Sequence, residues 1–297
     1  MKKYELVTEL SKEFFGKTLF RIRALVSFGC VEKGEIGGWI EKEDNLSHEG
    51  KAWVSGEARV YGEARVYGEA QVYGKAQVYG KARVYGKARV YGEAQVYGKA
   101  WVYSEAWVSG EAWVSGEAQV YGEARVSGKA QVFGEAQVSG EAWVSGEAQV
   151  YGKAWVSGEA RVYGEAQVYG KARVSGKARV YGEARVSGKA RVSGEAQVSG
   201  EAQVYGKAWV YGKAWVYGEA RVSGDAHYIT IGPIGSEGGV LTAFKQGDNS
   251  ILVSRGCFSG TIDEFAEAVR NRHGETGYAA EYEIVIKLIE ARLVEID

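Results

Sequence analysis

Residues 50–73 read GKAWVSGEARVYGEARVYGEAQVY, which is four copies of one six-residue unit. The unit continues without interruption to Ser223, so residues 50–223 form 29 hexads. Ala stands third and Val fifth in every hexad, and Gly opens all of them except the one that begins at Ser104. The second position is Glu or Lys, the fourth is Arg, Gln or Trp, and the sixth is Tyr or Ser apart from Phe133. A fixed period this short predicts a solenoid.

The pattern inside a hexad predicts which side chains form the core. Ala and Val lie two residues apart, so they point to the same face of a short strand, whereas the fourth and sixth residues point outward. Gly before Glu or Lys supplies the corner, because glycine bends without a Cβ clash. Stacked coils bury the Ala/Val face and pair the backbone groups, which one hexad alone cannot do. Three hexads per coil suit an Ala/Val interior, which predicts about 9.7 coils in a rod about 45 Å long at ~4.8 Å per strand spacing.

The segments on both sides of the hexads lack the repeat, and we interpret both as closing the solenoid. An open solenoid end is an unpaired sheet edge that would template aggregation. Residues 1–49 carry strand-like runs at 18–26 and 38–40 and lead directly into the first hexad. The predicted domains are therefore an N-terminal β cap at 1–49, the solenoid at 50–223 and a C-terminal domain at 224–297.

The C-terminal segment 224–297 predicts a small α+β domain. Residues 240–244 and 251–253 have the composition of two strands joined by a loop. Thr261 and Glu264 have capping-box spacing before an apolar run, and Gly274 is a stop signal, so a helix of about 11 residues is expected between them. Apolar residues then recur at helical spacing from Tyr278 to Leu293, which indicates a second helix.

The hexads resemble the left-handed β-helix of the hexapeptide-repeat (LpxA-like) superfamily, in which an aliphatic and a small residue point inward. Here glycine follows Val by two residues rather than directly, which departs from the commonest form of that motif. The segments TLFRIRAL, GGWIEKEDNLSHEG, ITIGPIGSEGG, RGCFSGTIDEF and RHGETGYAAEY also resemble hexapeptide-repeat proteins of gut Firmicutes and their phages or prophages. The resemblance implies a left-handed parallel β-helix of about 9–10 triangular coils and a phage or prophage setting. It transfers no catalytic residue.

Composition disfavours several classes of protein. The formal net charge is −1, and the hexads carry 12 Lys and 11 Arg against 17 Glu without a basic groove, so nucleic acid is a poor fit as a partner. No stretch of about 18 apolar residues and no signal-peptide pattern occurs, so we expect no membrane partner and a cytoplasmic protein or a phage-particle component. Two cysteines are too few for a disulfide framework. The His and Cys residues form no metal-ligand motif, and no cofactor is expected.

Acyl transfer from acyl-CoA is the enzymatic alternative, because many hexapeptide-repeat proteins are acyltransferases that resemble one another in using a histidine base. No loop interrupts residues 50–223, and His227 is the only candidate base. Cys257 and His273 could form a nucleophile pair, but we interpret Cys257 as a buried residue that follows a strand. The segment 232–239, GPIGSEGG, lacks the Lys-Ser/Thr of a phosphate-binding loop and is interpreted as a turn. No catalytic residue is therefore predicted.

Outward-facing Trp and Arg side chains are the candidate binding residues. With three hexads per coil, residues 18 apart stack, which predicts Trp107 between Arg89 and Arg125, and Trp143 between Arg125 and Arg161. A guanidinium stacked on an exposed indole contributes about 0.5–1 kcal/mol. These columns either stabilise the sheet or form a flat adhesive surface for a glycan, a protein or a second rod. The full candidate set is Trp101, Trp107, Trp113, Trp143, Trp155, Arg89, Arg125 and Arg161.

One coil stands out within this set. Trp101, Trp107 and Trp113 put one indole on each side of a single coil, next to Ser104, the one hexad opening that is not glycine. A binding surface is therefore expected there first.

If each coil has 18 residues, two columns of stacked corner residues each carry charge of a single sign. Like charges about 5 Å apart repel by less than ~1 kcal/mol in water, so a solvated corner tolerates them. The alternative is a dipolar rod whose acidic edge meets the basic edge of a neighbour. The acidic column is Glu147, Glu165, Glu183, Glu201 and Glu219, and the basic column is Lys153, Lys171, Lys189 and Lys207.

Three functions stay open on the sequence alone. The first is a non-enzymatic rod that presents the C-terminal domain and binds an unknown macromolecule, either protein or glycan, in a phage–host setting. The second is a purely structural rod that associates with itself through its aromatic faces. The third is the acyltransferase.

Overall fold

The computed structural model describes residues 1–224, 227–246 and 248–294. Its chain divides into two compact units, Met1–Glu159 and Ala160–Asp297. The hexads form a parallel β-solenoid of about ten coils, and a small domain of helices and antiparallel strands follows, as predicted. The domain boundaries at 49/50 and 223/224 and the left hand of the coil stay predictions. None of the helices in the described part of the chain is long and apolar enough to cross a membrane.

Every hexad adopts the same conformation. Its fourth and fifth residues form a two-residue strand, so the strands recur once per hexad from β4 (Trp53–Val54) to β32 (Arg221–Val222). The Ala and Val side chains of all 29 hexads are fully buried, which confirms the predicted core. The opening glycines have φ between 63° and 73°, in the left-handed region where a Cβ is unfavourable, which is how each hexad turns its corner.

The coils stack in register, and each strand pairs with the strand three hexads later. In the first unit, Arg89 pairs with Trp107 and Val90 with Val108, and the same offset holds in all three parallel sheets. The N–H groups of the second, fourth and sixth residues of a hexad donate to carbonyl oxygens of the following coil, as from Arg89 to Ala106 O at 2.9 Å. The predicted three hexads per coil are thereby confirmed. These bonds give the solenoid chemical polarity, because their acceptor carbonyls in the first coil and their donor N–H groups in the last coil have no neighbouring coil to pair with.

The N-terminal segment forms an antiparallel sheet that joins the solenoid. Strand β1 (Tyr4–Phe14) pairs with β2 (Lys17–Ala24), β2 pairs with β3 (Ile36–Ile40), and β3 pairs in parallel with β5 (Arg59–Val60). The sequence predicted β2 and β3 but missed β1. A 3-10 turn, Glu43–Asn45, follows β3. Ile40 and Leu46 are buried and pair with Val60 and Val66, so the core begins before the first hexad.

Side chains of this cap satisfy the carbonyl oxygens of the first coil. The buried Asn45 amide donates to Gly62 O at 3.1 Å and to Ala64 O at 2.9 Å. The Lys3 ammonium, buried at 4% exposure, donates to Ala52 O at 2.8 Å. Backbone donors add to these bonds, for example Trp39 N, Glu41 N and Ser47 N.

The second unit repeats the solenoid register and ends in a four-stranded antiparallel sheet. Its hexads pair at the same offset, as Arg161 with Arg179. The sheet contains β33 (Tyr228–Ile234), β34 (Gly239–Lys245), β35 (Ile251–Arg255) and β36 (Phe258–Thr261), in that order. The sequence predicted β34 and β35 and missed the two flanking strands. The predicted turn at 232–239 is shorter than expected, because β33 extends to Ile234 and only residues 235–238 turn.

Two helices complete this domain as predicted. Helix α1 (Ile262–His273) begins at the N-cap Thr261, whose hydroxyl accepts from Glu264 N while the Glu264 carboxylate accepts from Thr261 N, and it ends at Gly274. Helix α2 (Gly277–Val294) packs its buried side chains against the sheet. The shared core of this domain includes Leu241, Val253, Phe265, Tyr282 and Ile289.

Candidate functional site

The hexad conformation places the fourth residue outward on a flat sheet, where its neighbours are fixed by the coil repeat. Trp107 lies between Arg89 and Arg125, as predicted. The two guanidinium carbons are 5.2 Å and 4.9 Å from the indole centroid. Trp143 lies beside Arg125, and Trp155 lies beside Gln137. Arg161 belongs to the second unit, where it pairs with Arg179.

Trp101, Trp107 and Trp113 occupy one strand in each of the three sheets. Their indoles therefore face outward on all three sides of one coil, and we call these three residues the aromatic belt. Trp101 is 36% exposed, Trp113 is 43% exposed, and Trp107 is half-buried between its arginines. Ser104 lies in the same coil with φ of 60°, the only hexad opening at which a side chain occupies the left-handed region.

The aromatic belt differs from the later tryptophans in its hydrogen bonds. The indole N–H of Trp143 donates to Ser127 Oγ at 3.1 Å, and that of Trp155 donates to Ser139 Oγ at 3.0 Å. Trp209 and Trp215 do the same, each with the serine that ends the hexad three places earlier. The belt tryptophans have Tyr at that position instead, and within residues 1–224 their N–H groups make no hydrogen bond.

This difference was missed by the sequence reasoning, although its signal is visible there. The sixth residue of one hexad lies beside the fourth residue of the hexad three places later, as Ser127 lies beside Trp143. Ser at that position accepts from an indole, while Tyr has its hydroxyl too far out to do so. The distinction among tryptophans could therefore have been found by asking which residue ends the hexad one coil before each of them.

Stacked tyrosines form a second feature that sequence reasoning missed. Tyr67, Tyr85, Tyr103 and Tyr121 occupy the sixth position in successive coils, and neighbouring ring centroids are 4.8–5.0 Å apart with the rings nearly parallel. Some of these hydroxyls donate to a Gln of the next coil, as Tyr103 does to Gln119 Oε1 at 3.4 Å. Burial raises the pKa of Tyr103 above its ordinary value. The stacks bind neighbouring coils together and leave less of each ring available to a partner.

The corner charges behave differently in the two units. In the first unit, Lys and Glu at equivalent corners of adjacent coils pair with each other, for example Lys75 with Glu93 at 3.0 Å and Lys129 with Glu147 at 3.4 Å. In the second unit, the stacked corners carry like charges along two edges. The acidic edge is Glu165, Glu183, Glu201 and Glu219, and the basic edge is Lys171, Lys189 and Lys207. Among the described residues 160–223, no corner Lys or Glu forms an ion pair within 4.0 Å.

His227, the candidate base of the acyltransferase alternative, lies at the last coil. Its Nδ1 accepts from Ser223 N at 3.4 Å and lies 3.0 Å from Ser223 Oγ. The ring thus covers one of the N–H groups that the last coil leaves unpaired. Its immediate role is to cap a strand end.

Cys257 was predicted to be buried, and this prediction was wrong. It lies in the tight connection between β35 and β36, and its side chain is exposed because Gly256, with φ of 59°, turns the chain there. Cys257 and His273 line the same cavity of about 350 Å³ in the C-terminal domain, although nothing in the sequence placed them together. Over the described ranges, no three His, Cys, Asp or Glu side chains are grouped as a metal site would need.

The comparisons with known proteins agree with this architecture. Residues 58–74, 76–92, 118–134, 166–182 and 178–194 are similar to the YdcK β-solenoid repeat. Each of these segments is close to one coil in length, and together they cover less than a third of the chain. The similarity supports a repeat β-solenoid protein and does not extend to the terminal segments. No curated protein matches the chain.

Proposed function

We propose that this β-solenoid protein is a non-catalytic scaffold that binds a macromolecule through the aromatic belt and presents its C-terminal domain. The observation that carries the proposal is the position of Trp101, Trp107 and Trp113, one on each sheet of a single coil, with indole N–H groups that no neighbour in that coil uses. Tryptophan and arginine dominate the binding energy of interfaces, because each combines a large apolar area with directed hydrogen bonds. The phage or prophage setting is part of the proposal and rests on the resemblance of the terminal segments.

A rigid frame supports this use of the belt. The backbone beneath the indoles is fixed by coil-to-coil hydrogen bonds of about 2.9 Å, so little ordering entropy is lost when a partner binds. Arg89 and Arg125 already hold the Trp107 ring in place. A preorganised aromatic surface of this kind suits a protein face or the apolar face of a sugar ring.

The test compares two triple variants of the full chain. Trp101→Ala/Trp107→Ala/Trp113→Ala removes the belt, and Gln71→Ala/Gln77→Ala/Gln137→Ala removes one fourth-position side chain from each sheet, two coils away from the belt, as the matched control. Both variants are probed, with the unmodified chain, on a glycan array and against fractionated bacterial lysate. We expect the belt variant to lose at least about tenfold in affinity for whichever class binds, and the control to lose little. Equal binding by both variants would show that the belt is not the binding surface.

Self-association is a second candidate, and the like-charged edges of the second unit favour it. Each edge carries one charge per coil. Only a partner with the same coil repeat has opposite charges at the same spacing, and a second copy of this chain provides them. The ion pairs missing inside the second unit would then form between copies. The self-association predicted through Trp107 and Trp143 is a separate version of this candidate.

Sedimentation of the full chain at low and high salt tests the edge version. We expect association at low ionic strength that weakens at about 0.5 M salt, because exposed ion pairs are screened. Glu183→Lys, on the acidic edge, should abolish the association. Glu195→Lys makes the same charge change between Lys177 and Lys213, outside both edges, and should preserve it. A salt-independent monomer would remove the candidate.

A further inference from the structure

The cavity in the C-terminal domain has an uncompensated positive charge in its wall. Arg255 ends strand β35 and is half-buried. Its Nη2 donates to Ile234 O at 2.9 Å, but its buried Nε has no partner, and within residues 227–246 and 248–294 no carboxylate pairs with this guanidinium. A partly buried cation without a counter-ion is unfavourable, because the hydration it loses is not replaced.

The position of Arg255 is fixed by its surroundings. Its Nη1 lies against Gly239, where an added Cβ would be 2.5 Å away. The bond to Ile234 O holds the other terminal amino group, Nη2. A preorganised guanidinium is the side chain best suited to a carboxylate, since its N–H groups match both oxygens.

The rest of the cavity is largely apolar. Phe258, Phe265, Val269 and Tyr282 line it, and the ring centroids of Phe265 and Tyr282 are 5.5 Å apart. A second arginine, Arg272, also lines the cavity but is neutralised by Glu237 at 3.0 Å. A volume of about 350 Å³ lies at the lower end of the range for small-molecule sites.

We propose that this cavity binds a small monocarboxylate that carries an apolar group, with the carboxylate on Arg255 and the apolar group against the aromatic wall. The anion would supply the counter-charge that the Arg255 guanidinium lacks. The site is independent of the aromatic belt, which lies in the other compact unit. Cys257 lines the same cavity and therefore serves as a built-in reporter of occupancy.

The test measures the rate at which iodoacetamide labels each cysteine of the full chain, resolved by mass spectrometry. Cys30 is also exposed and lies far from this domain in sequence, so it is an internal control. The probes are phenylacetate, acetate, which lacks the apolar group, and 2-phenylethanol, which lacks the charge. We expect about 10 mM phenylacetate to slow the labelling of Cys257 about fivefold or more while Cys30 is unaffected, as a dissociation constant of ~1 mM implies. Acetate and 2-phenylethanol should have less than about a twofold effect.

Three variants complete the test. Arg255→Gln removes the charge and should abolish protection by phenylacetate. Arg270→Gln, a matched change on the exposed side of α1, should leave protection intact. Ala268→Trp fills the cavity without altering Arg255 and should abolish protection even if Arg255→Gln does not fold. Unchanged labelling of Cys257 in phenylacetate, equal effects of all three probes, or full protection in Ala268→Trp would each overturn the proposal.

Discussion

The two ends of the solenoid face opposite chemical problems. At the N-terminal end the first coil presents carbonyl oxygens, and the cap supplies donors to them, including the Asn45 amide and the Lys3 ammonium. At the C-terminal end the last coils present N–H groups, and the following domain supplies acceptors, such as Thr242 Oγ1 for Trp215 N and His227 Nδ1 for Ser223 N. The donor bonds at the first end are 2.8–3.1 Å long, whereas both acceptor bonds at the second end are 3.4 Å.

This difference shows that the caps of a parallel solenoid are not interchangeable. The second, fourth and sixth N–H groups of each hexad donate toward the following coil, so these carbonyl acceptors are left open at the first coil and these donors at the last, and each cap must match the end it closes. We call the N-terminal end, where the cap donates, the donor end, and the C-terminal end, where the following domain accepts, the acceptor end. The shorter bonds at the donor end predict that substitutions there cost more stability than equivalent ones at the acceptor end.

The largest effect is expected from Asn45→Ala. The substitution removes both donors to the first coil and also the Oδ1 that accepts from Glu41 N and Lys42 N, so four backbone groups lose a partner. We expect a loss of about 4 kcal/mol in the free energy of unfolding. Urea denaturation followed by circular dichroism measures it, and hydrogen exchange at residues 59–66 locates it.

Asn45→Asp separates the donor role from the acceptor role. It keeps the Oδ1 acceptor and the side-chain size but replaces the donating amide with an oxygen that faces Gly62 O and Ala64 O. We expect it to be at least as destabilising as Asn45→Ala. If Asn45→Asp proved as stable as the unmodified chain, the donor requirement at this end would be wrong.

The next largest loss of stability is expected at the glycine corners, where a corner of an interior coil can be compared with a corner of the last coil. Gly116 and Gly212 both have φ of 68°. A Cβ at Gly116 would lie 2.9 Å from Gly134 N in the next coil, whereas a Cβ at Gly212 would contact nothing within 4 Å. We expect Gly116→Ala to cost about 3 kcal/mol and Gly212→Ala about 1 kcal/mol, the backbone term alone. Equal melting-temperature losses for the two variants would show that coil-to-coil contact adds nothing at these corners.

The solenoid could be predicted from the sequence because each structural role is repeated in all 29 hexads. The hexad pattern predicts a core of Ala and Val, a corner at Gly and a coil of three hexads, and the structure confirms all three. The caps could be predicted only in part, because their roles occur once. Strand β1 was missed, and so was the function of Asn45, since no pattern marks a single amide that must reach two carbonyls of a later coil.

The candidate site was predictable to the same degree. The neighbours of Trp107 followed from the coil repeat, and the exposure of the belt followed from the hexad pattern. The cavity beside Cys257 did not, because it depends on how α1 and α2 pack on an antiparallel sheet. That packing brings together Arg255, His273 and Tyr282 from three separate elements.

The stability contributed by the N-terminal cap depends on pH. Burial lowers the pKa of Lys3 from 10.5 to about 8. Between about pH 8 and 10.5 the unfolded chain therefore binds more protons than the folded chain, so stability rises with pH across this interval, and the gain is lost as the pH falls from about 10.5 to about 8. The neutral amine still donates to Ala52 O. Allowing for solvent screening, we expect a rise of about 1–2 kcal/mol.

The Lys3→Met variant isolates this contribution. The free energy of unfolding is measured for both chains at intervals from about pH 7 to about pH 11, and the difference between them cancels the titration of the tyrosines. The stability of the unmodified chain should rise relative to Lys3→Met across the window. A flat difference would mean that the ammonium is not desolvated in the folded protein.

The smallest effect is expected at the acceptor end, where two threonines pair across adjacent strands. Thr230 on β33 lies directly opposite Thr242 on β34. Thr242 Oγ1 accepts from Trp215 N at 3.4 Å, whereas Thr230 Oγ1 is buried without a partner.

Valine has nearly the same shape as threonine, so Thr→Val at each position removes only the hydroxyl. We expect Thr242→Val to destabilise by about 1 kcal/mol, because Trp215 N loses its acceptor, and Thr230→Val to be neutral or to stabilise by up to about 1 kcal/mol, because an unsatisfied polar group is removed. Thermal unfolding of the two variants side by side measures the difference, with the shared sheet as an internal reference. If both variants lost the same stability, the hydroxyl of Thr242 would not be closing the solenoid, and the acceptor end would depend on apolar contacts such as Tyr217 with Phe244.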